Sequence, residues 1–373
     1  MTALFEQTSL QTMTLRNRLV RSATWEGMCD RDGRPTEKLS DFYRDLAAGG
    51  VGLIVTGFTF VRPDGKQMPG KMGIHTDAFE PEMRALAEGV HGEGGRICLQ
   101  LVHAGGQTDT RNAGRQPLAP SAVQVAQFPE MPAELRRDEI EAIISAFGEG
   151  ARRAKEWGFD AVQLHGAHGY LINQFLSPLT NLRTDEYGGS IEKRCRFLLE
   201  VYDKVRATVG ADYPVLIKLN GSDNLSGGLS AEDALYAARK LSERGIDAIE
   251  VSGGTSASGE MSPVRAKIDS PAKEAYNFDL ALKIKKGVAC PVMVVGGFRS
   301  LEVVEQVIVE EGLDYVAMAR PFIREPGLAN RWLSGDQTPA RCISCNGCFA
   351  PGIKEGGIYC VIEKKEQVRV STK

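Results

Sequence analysis

The sequence predicts an α/β protein, a closed (β/α)8 TIM barrel, and three observations carry that expectation. Short apolar runs of strand length recur eight times along 373 residues, each separated from the next by helical periodicity. No region contains strands alone, which is the pattern of a parallel sheet with crossover helices. Polar, titratable side chains gather at the carboxyl ends of several runs, where a barrel of this kind carries its chemistry. A doubly wound open sheet is the rival, but eight evenly spaced parallel strands fit it poorly.

The runs can be taken in order. Residues 17–24 give the first, after a polar segment suited to a short hairpin across the barrel floor. An amphipathic helix over 38–48, with Leu39, Phe42, Tyr43 and Leu46 on one face, is stopped by Gly49-Gly50 and leads to a second strand at 51–57. A helix over 80–93 leads to the third strand, 97–103. Residues 104–132 lose periodicity to Gly, Pro, Asn and Gln. A loop that long inside a compact domain is usually functional, and it reads as a substrate-side lid. A helix over 137–157 feeds the fourth strand, which starts at Phe159. Helices at 190–209, 231–244, 273–288 and 301–311 then feed strands at 214–219, 247–251, 291–295 and 314–318.

The fourth strand ends in the most informative stretch, His165-Gly166-Ala167-His168-Gly169-Tyr170, which holds two of the five histidines in the chain. From the residues alone three readings stay open: half of a metal site, two structural histidines, or donors to a carbonyl or anion. Zinc would need further ligands, and no acidic residue adjoins the pair. Neutral imidazoles and a phenol suit the third reading best, because they can hydrogen-bond an oxygen as it gains charge and deliver a proton.

Bulk properties narrow the partners. Charged residues are 25% of the chain and the net charge is −3, so a nucleic-acid partner is not expected. The first ten residues include Glu6 and lack an apolar core, so no signal peptide is expected. No apolar run approaches about 18 residues, so no membrane span is expected either. Cys29, Cys98, Cys195 and Cys290 are scattered, and a reducing cytoplasm is the expected location.

Gly296-Gly297 follows the seventh strand, with Arg299 just beyond, and Arg320 follows the eighth. The loops there commonly bind phosphate in barrels, although a tight turn and a surface arginine would give the same letters. Lys218 ends the fifth strand and Gln100 lies near the end of the third. Together they suit a flavin ring lying over the mouth, unless both belong to a buried polar layer.

The segment from His165 through Ser177-Pro178, continuing Asn181-Leu182-Arg183-Thr184-Asp185-Glu186-Tyr187-Gly188-Gly189-Ser190, closely resembles the Old Yellow Enzyme family. The likeness runs from Asn17-Arg18 to Arg320. It implies an FMN-dependent ene-reductase on a (β/α)8 barrel, fed by NADH or NADPH, acting on α,β-unsaturated carbonyls by ping-pong hydride transfer. By the family's motifs, the backbone of Ser22, Ala23 and Thr24 would lie by the flavin. Gly57, Gln100 and Lys218 would contact its ring, and Gly297 and Arg320 its phosphate. His165 and His168 would bind the activating oxygen and Tyr170 would donate the proton. Ala23 stands where the family usually has Pro. Trp25, expected against the substrate, stands where it often has Thr or Cys.

Arg341 opens a second pattern, Cys342-x-x-Cys345-x-x-Cys348 and then Cys360. The spacing reads as a [4Fe–4S] ligand set, as zinc, or as a metal-free relic. It resembles the cluster segment of trimethylamine dehydrogenase and 2,4-dienoyl-CoA reductase, which carry further nucleotide-binding domains. With Lys373 as the last residue, the expectation is a redox partner protein, a purely structural cluster, or no cluster at all. The expected organisation is thus an FMN-binding barrel over 1–335 and a cysteine-containing tail over 336–373, with a homo-oligomer left open. The rival function is a flavin/iron–sulfur electron carrier or demethylating dehydrogenase working with a partner.

Overall fold

The computed structural model describes residues 3–371, so Met1, Thr2, Thr372 and Lys373, the outer ends of the two expected segments, lie outside the described residues. Eight parallel strands form the barrel: β1 Leu19–Arg21, β2 Leu53–Val55, β3 Ile97–Val102, β4 Ala161–Gly166, β5 Val215–Asn220, β6 Ala248–Ser252, β7 Val292–Val295 and β8 Tyr315–Met318. Their order around the sheet is β2-β1-β8-β7-β6-β5-β4-β3, and pairing of β2 with β3 closes it. The closed (β/α)8 barrel expected from the pattern is present.

The two-residue period of a strand decides what fills the barrel. Along β3 to β6 one set of side chains (Leu99, Val162, Ile217, Ile249) packs outward against the helices. The alternate set (Cys98, Ala161, Leu216, Ala248) packs inward with Val20, Val55, Met293 and Tyr315. The next inward positions are Gln100, Gln163, Lys218 and Glu250, so a polar layer sits on an apolar one. Below, the hairpin Thr8–Leu10 with Met13–Leu15 closes the floor, and its Leu10, Met13 and Leu15 join the inner cluster.

Several expected boundaries change. The first strand stops at Arg21, because residues 22–25 leave the sheet to line the mouth. The second is only Leu53–Val55. The helix expected over 190–209 breaks at Cys195 into Ile191–Arg194 and Arg196–Val209. That over 273–288 shrinks to Phe278–Lys285, since Ala275 adopts a positive φ and the Tyr276 N–H is drawn to the Gly296 carbonyl. The helix at 301–311 widens after Glu305 into a π turn, Gln306–Glu310. The loop over 104–132 holds one helical turn, Thr110–Ala113, capped by Asp109, and the short strand Leu118–Ala119, which pairs with Ala133–Glu134. Beyond the barrel lie the helices Phe349–Lys354 and Val361–Ser371. No helix among the described residues is long and apolar enough to cross a membrane.

Candidate active site

A cavity of about 430 Å³ opens at the carboxyl ends of the strands. Ser22, Ala23, Thr24, Trp25, Gln100, His165, His168, Tyr170, Lys218, Gly297 and Arg320 all face it. Gly57 does not. Its N–H is bound to Tyr43 Oη and Glu26 Oε1, and a Cβ there would strike the Glu26 carboxylate. Arg299 also points elsewhere, bracing the Ile268 and Ala340 carbonyls.

The floor of the cavity is a chain of buried polar groups. Lys218 Nζ lies 3.1 Å from Glu250 Oε1 and donates to Ser22 Oγ at 2.8 Å. Ser22 in turn donates to Glu250 at 2.6 Å. Gln163 Nε2 donates to the other Glu250 oxygen at 2.8 Å, and Gln100 Nε2 donates to Gln163 Oε1 at 2.7 Å. Gln100 Oε1 is buried and has no donor. Burial holds Lys218 below the ordinary lysine range, against the opposing pull of Glu250.

On the wall, the His165 and His168 rings stand edge to face, 5.2 Å apart, and His165 is 4.7 Å from the Tyr170 ring. His168 takes the left-handed conformation, φ 63°. Its N–H donates to Asn220 Oδ1, its Nε2 pairs with Ser252 Oγ at 2.7 Å, and its carbonyl accepts from Gln107 Nε2. Asn173 accepts the Gly169 N–H, and Gln174 bridges the Gly169 carbonyl and the Gly106 N–H. Burial keeps both imidazoles well below the usual histidine pKa. His168, Lys218 and Lys71 add to this for His165, and Lys218 alone for His168, so both rings are neutral. Nδ1 of His165 is buried without a partner. Burial raises the Tyr170 phenol, which donates to Gln67 Oε1 at 3.0 Å.

At the opposite end, Gly297 has φ 77°, and a Cβ there would approach the Tyr276 ring to 2.8 Å. Arg320 Nη1 donates to the Arg265 carbonyl and, at 2.6 Å, to Asn346 Oδ1 of the cysteine segment. Ser344 and Phe349 of that segment also line the cavity, as do Gln107, Gln127 and Phe128 of the 104–132 loop. Ser256 donates to both Gln107 and Gln127. Trp25 packs against Gly27 and Gly352, so the tail backs one wall.

Cys342, Cys345, Cys348 and Cys360 converge on a void of about 20 Å³ beside Arg320 and Asn346. Burial raises the Cys342 thiol and pushes Cys348 up to about 11. Among the described residues no three His, Cys, Asp or Glu side chains stand close enough to hold one metal ion.

Gln163, Glu250, Ser252, Asn173 and Gln67 were not singled out from the sequence. The signal for the first two was present, a polar letter inside each of two apolar strands.

Comparison with known proteins adds the family. Residues 3–338 match the model of the NADH:flavin oxidoreductase / NADH oxidase family. The chain is 38% identical over 350 residues to an NADH oxidase of Thermoanaerobacter brockii, covering 93% of this chain and 53% of that protein. The chain thus spans about half the length of that relative. It is 36% identical over 326 residues to an NADPH dehydrogenase of Geobacillus sp. strain WCH70, covering 87% of this chain and 92% of the relative. The solved structure of an old yellow enzyme homologue from Zymomonas mobilis superposes with a TM-score of 0.78 at 29% identity, covering 90% of this chain and 94% of that one.

Proposed function

The chain belongs to the NADH:flavin oxidoreductase / NADH oxidase family, whose members use FMN and NAD(P)H, and from that premise we propose that it reduces the C=C bond of α,β-unsaturated carbonyls and related electron-poor alkenes. The observation that carries this reading is the juxtaposition of two neutral imidazoles with a phenol at one wall of the cavity.

The residues present fit a flavin. Gln100 offers a buried acceptor with no donor of its own, Lys218 a cation in the same polar layer, and Gly297 with Arg320 a cradle and a charge at the far end. Gln100, Lys218 and the 22–24 backbone would hold the ring, and Gly297 and Arg320 the phosphate. Bound there, FMN supplies hydride transfer between the nicotinamide and the alkene carbon.

His165 and His168 receive the substrate carbonyl oxygen. Each neutral ring keeps one N–H that can donate to the oxygen as charge develops on it. Tyr170 Oη delivers the proton to the α-carbon, and Gln67 orients the hydroxyl. Trp25 and Phe58 border the substrate and exclude water. Nicotinamide and alkene share one wall, so they bind in turn. Initial-rate patterns with NADH and cyclohexenone test this: parallel lines in double-reciprocal plots are expected, and intersecting lines contradict it.

The convergence of four thiols on one void beside Arg320 favours a second component, a [4Fe–4S] cluster ligated by Cys342, Cys345, Cys348 and Cys360. On this reading residues 336–373 form an appendage on a barrel spanning 1–335, and a redox partner would exchange electrons at the tail.

A further inference from the structure

Among the described residues three cations face the cavity, Lys71, Lys218 and Arg320, and no Asp or Glu lines it. Lys218 is matched by Glu250 and Ser22, and Arg320 by the Arg265 carbonyl and Asn346. Lys71 has no such match. It is 3% exposed, and its ammonium has no hydrogen-bond acceptor or ion-pair partner among the described residues. It lies 2.8 Å from the centroid of the Phe58 ring and 5.7 Å from that of Trp25. Glu26 acts on it through space, but that carboxylate is already bound by Arg21, Tyr43 and the Gly57 N–H.

The backbone anchors this lysine at the cavity wall. The Gly70 carbonyl accepts from the Cys29 N–H, the Met72 carbonyl accepts from Phe60 at 2.9 Å, and the Ile74 N–H returns a bond to Phe60 at 3.0 Å. Phe58 stands 5.7 Å from His165 and 4.9 Å from Tyr170, so the amine is one aromatic ring away from both groups. Burial alone drives it well below the usual lysine range. A buried amine without a partner is costly to charge, and an arriving anion offsets that cost by charge-assisted hydrogen bonds.

We propose that Lys71 is an anion-binding subsite of this cavity, and that the preferred substrates are electron-poor alkenes bearing a carboxylate. The inference rests on the alkene-reductase reading above for its substrate class, but not for the subsite itself. Phosphate of the nicotinamide coenzyme offers similar chemistry, so the test separates the two.

Two matched alkenes, acetylacrylate (carboxylate-bearing) and ethylideneacetone (neutral), are compared as substrates of the holoenzyme and its K71M and K71R variants. Lys71→Met should lower the ratio of kcat/KM for the anionic over the neutral alkene by roughly tenfold or more, mostly through KM, and Lys71→Arg should retain most of it. Equilibrium binding of levulinate, the saturated counterpart, is read from the flavin absorbance and tryptophan fluorescence, with neutral pentanone as control. In the unmodified protein levulinate should bind at least roughly tenfold more tightly than pentanone. Equal binding of the two, or an unchanged substrate ratio in K71M, overturns the subsite. A loss confined to NADPH relative to NADH assigns the amine to the coenzyme and overturns it as well. If neither alkene is turned over while levulinate binding still depends on Lys71, the reductase reading fails and the subsite stands.

Discussion

Lys218 and Glu250 form an ion pair of 3.1 Å inside the barrel, with their side chains 2% and 0% exposed. The carboxylate offsets part of the effect of the cation on anything bound above it. Glu250→Gln should therefore shift the flavin midpoint potential in the positive direction, on the order of 30 mV or about 1.4 kcal/mol for a two-electron couple. Lys218→Met should shift it in the negative direction. Either variant should also lose roughly 3–5 kcal/mol of stability, because one buried charge is left unpaired. Equilibration with redox dyes reads the potentials, and shifts of the same sign in both variants would contradict the pairing.

Tyr170→Phe removes the proposed proton donor and leaves the packing of the ring on Phe58 and His165 intact. Turnover of cyclohexenone should fall by roughly 10²–10⁴-fold. Flavin bleaching by NADH in a stopped-flow experiment should change far less. Equal losses in the two half-reactions would remove Tyr170 from its role.

The histidines set a pH dependence of stability. Both are held well below the ordinary value of 6.5 in the folded protein. Below that value the unfolded chain binds protons that the folded one refuses. Stability is therefore full above about pH 6.5 and is lost as pH falls toward the folded pKa values, by at most about 1.4 kcal/mol per pH unit for each histidine. Denaturant unfolding at pH 7 and pH 5 should show that slope, and His165→Asn should reduce it, leaving the contribution of His168.

The four-thiol void makes a prediction for the tail. Anaerobic reconstitution with iron and sulfide should load on the order of four irons per chain and add a broad brown absorbance. Cys348→Ser should abolish both. A wild-type protein that takes up no iron returns the tail to its zinc or metal-free readings.

Gly297 offers a test of the phosphate end. Its positive φ and the nearby Tyr276 ring make Gly297→Val strained and crowded. The variant should release FMN on gel filtration where the parent retains it, and equal retention would move the phosphate elsewhere.

The barrel was legible because strand and helix periods alternate without interruption, and because Gly pairs punctuate them. The His165–Tyr170 stretch stood out because polar groups end an apolar strand there. Glu250 and Gln163 were harder to value, since a single polar letter inside a strand does not reveal which face it takes or what it meets. Lys71, Phe58 and Gln67 lie in a connection with no period, and they reach the cavity only because that segment folds back onto Phe60. Gly57, expected beside the flavin ring, is not among the cavity-lining residues, and the Glu26 carboxylate lies against it. That contact joins residues 31 positions apart, and no local pattern announces it.

The most direct measurement is a visible absorption spectrum of the anaerobically purified protein, recorded before and after NADH and again after cyclohexenone. A flavin spectrum that bleaches with NADH and returns with the enone is the expected result. A flavin that bleaches and is not restored by the enone contradicts alkene reduction and favours the electron-carrier reading, and a protein without flavin contradicts the account at its root.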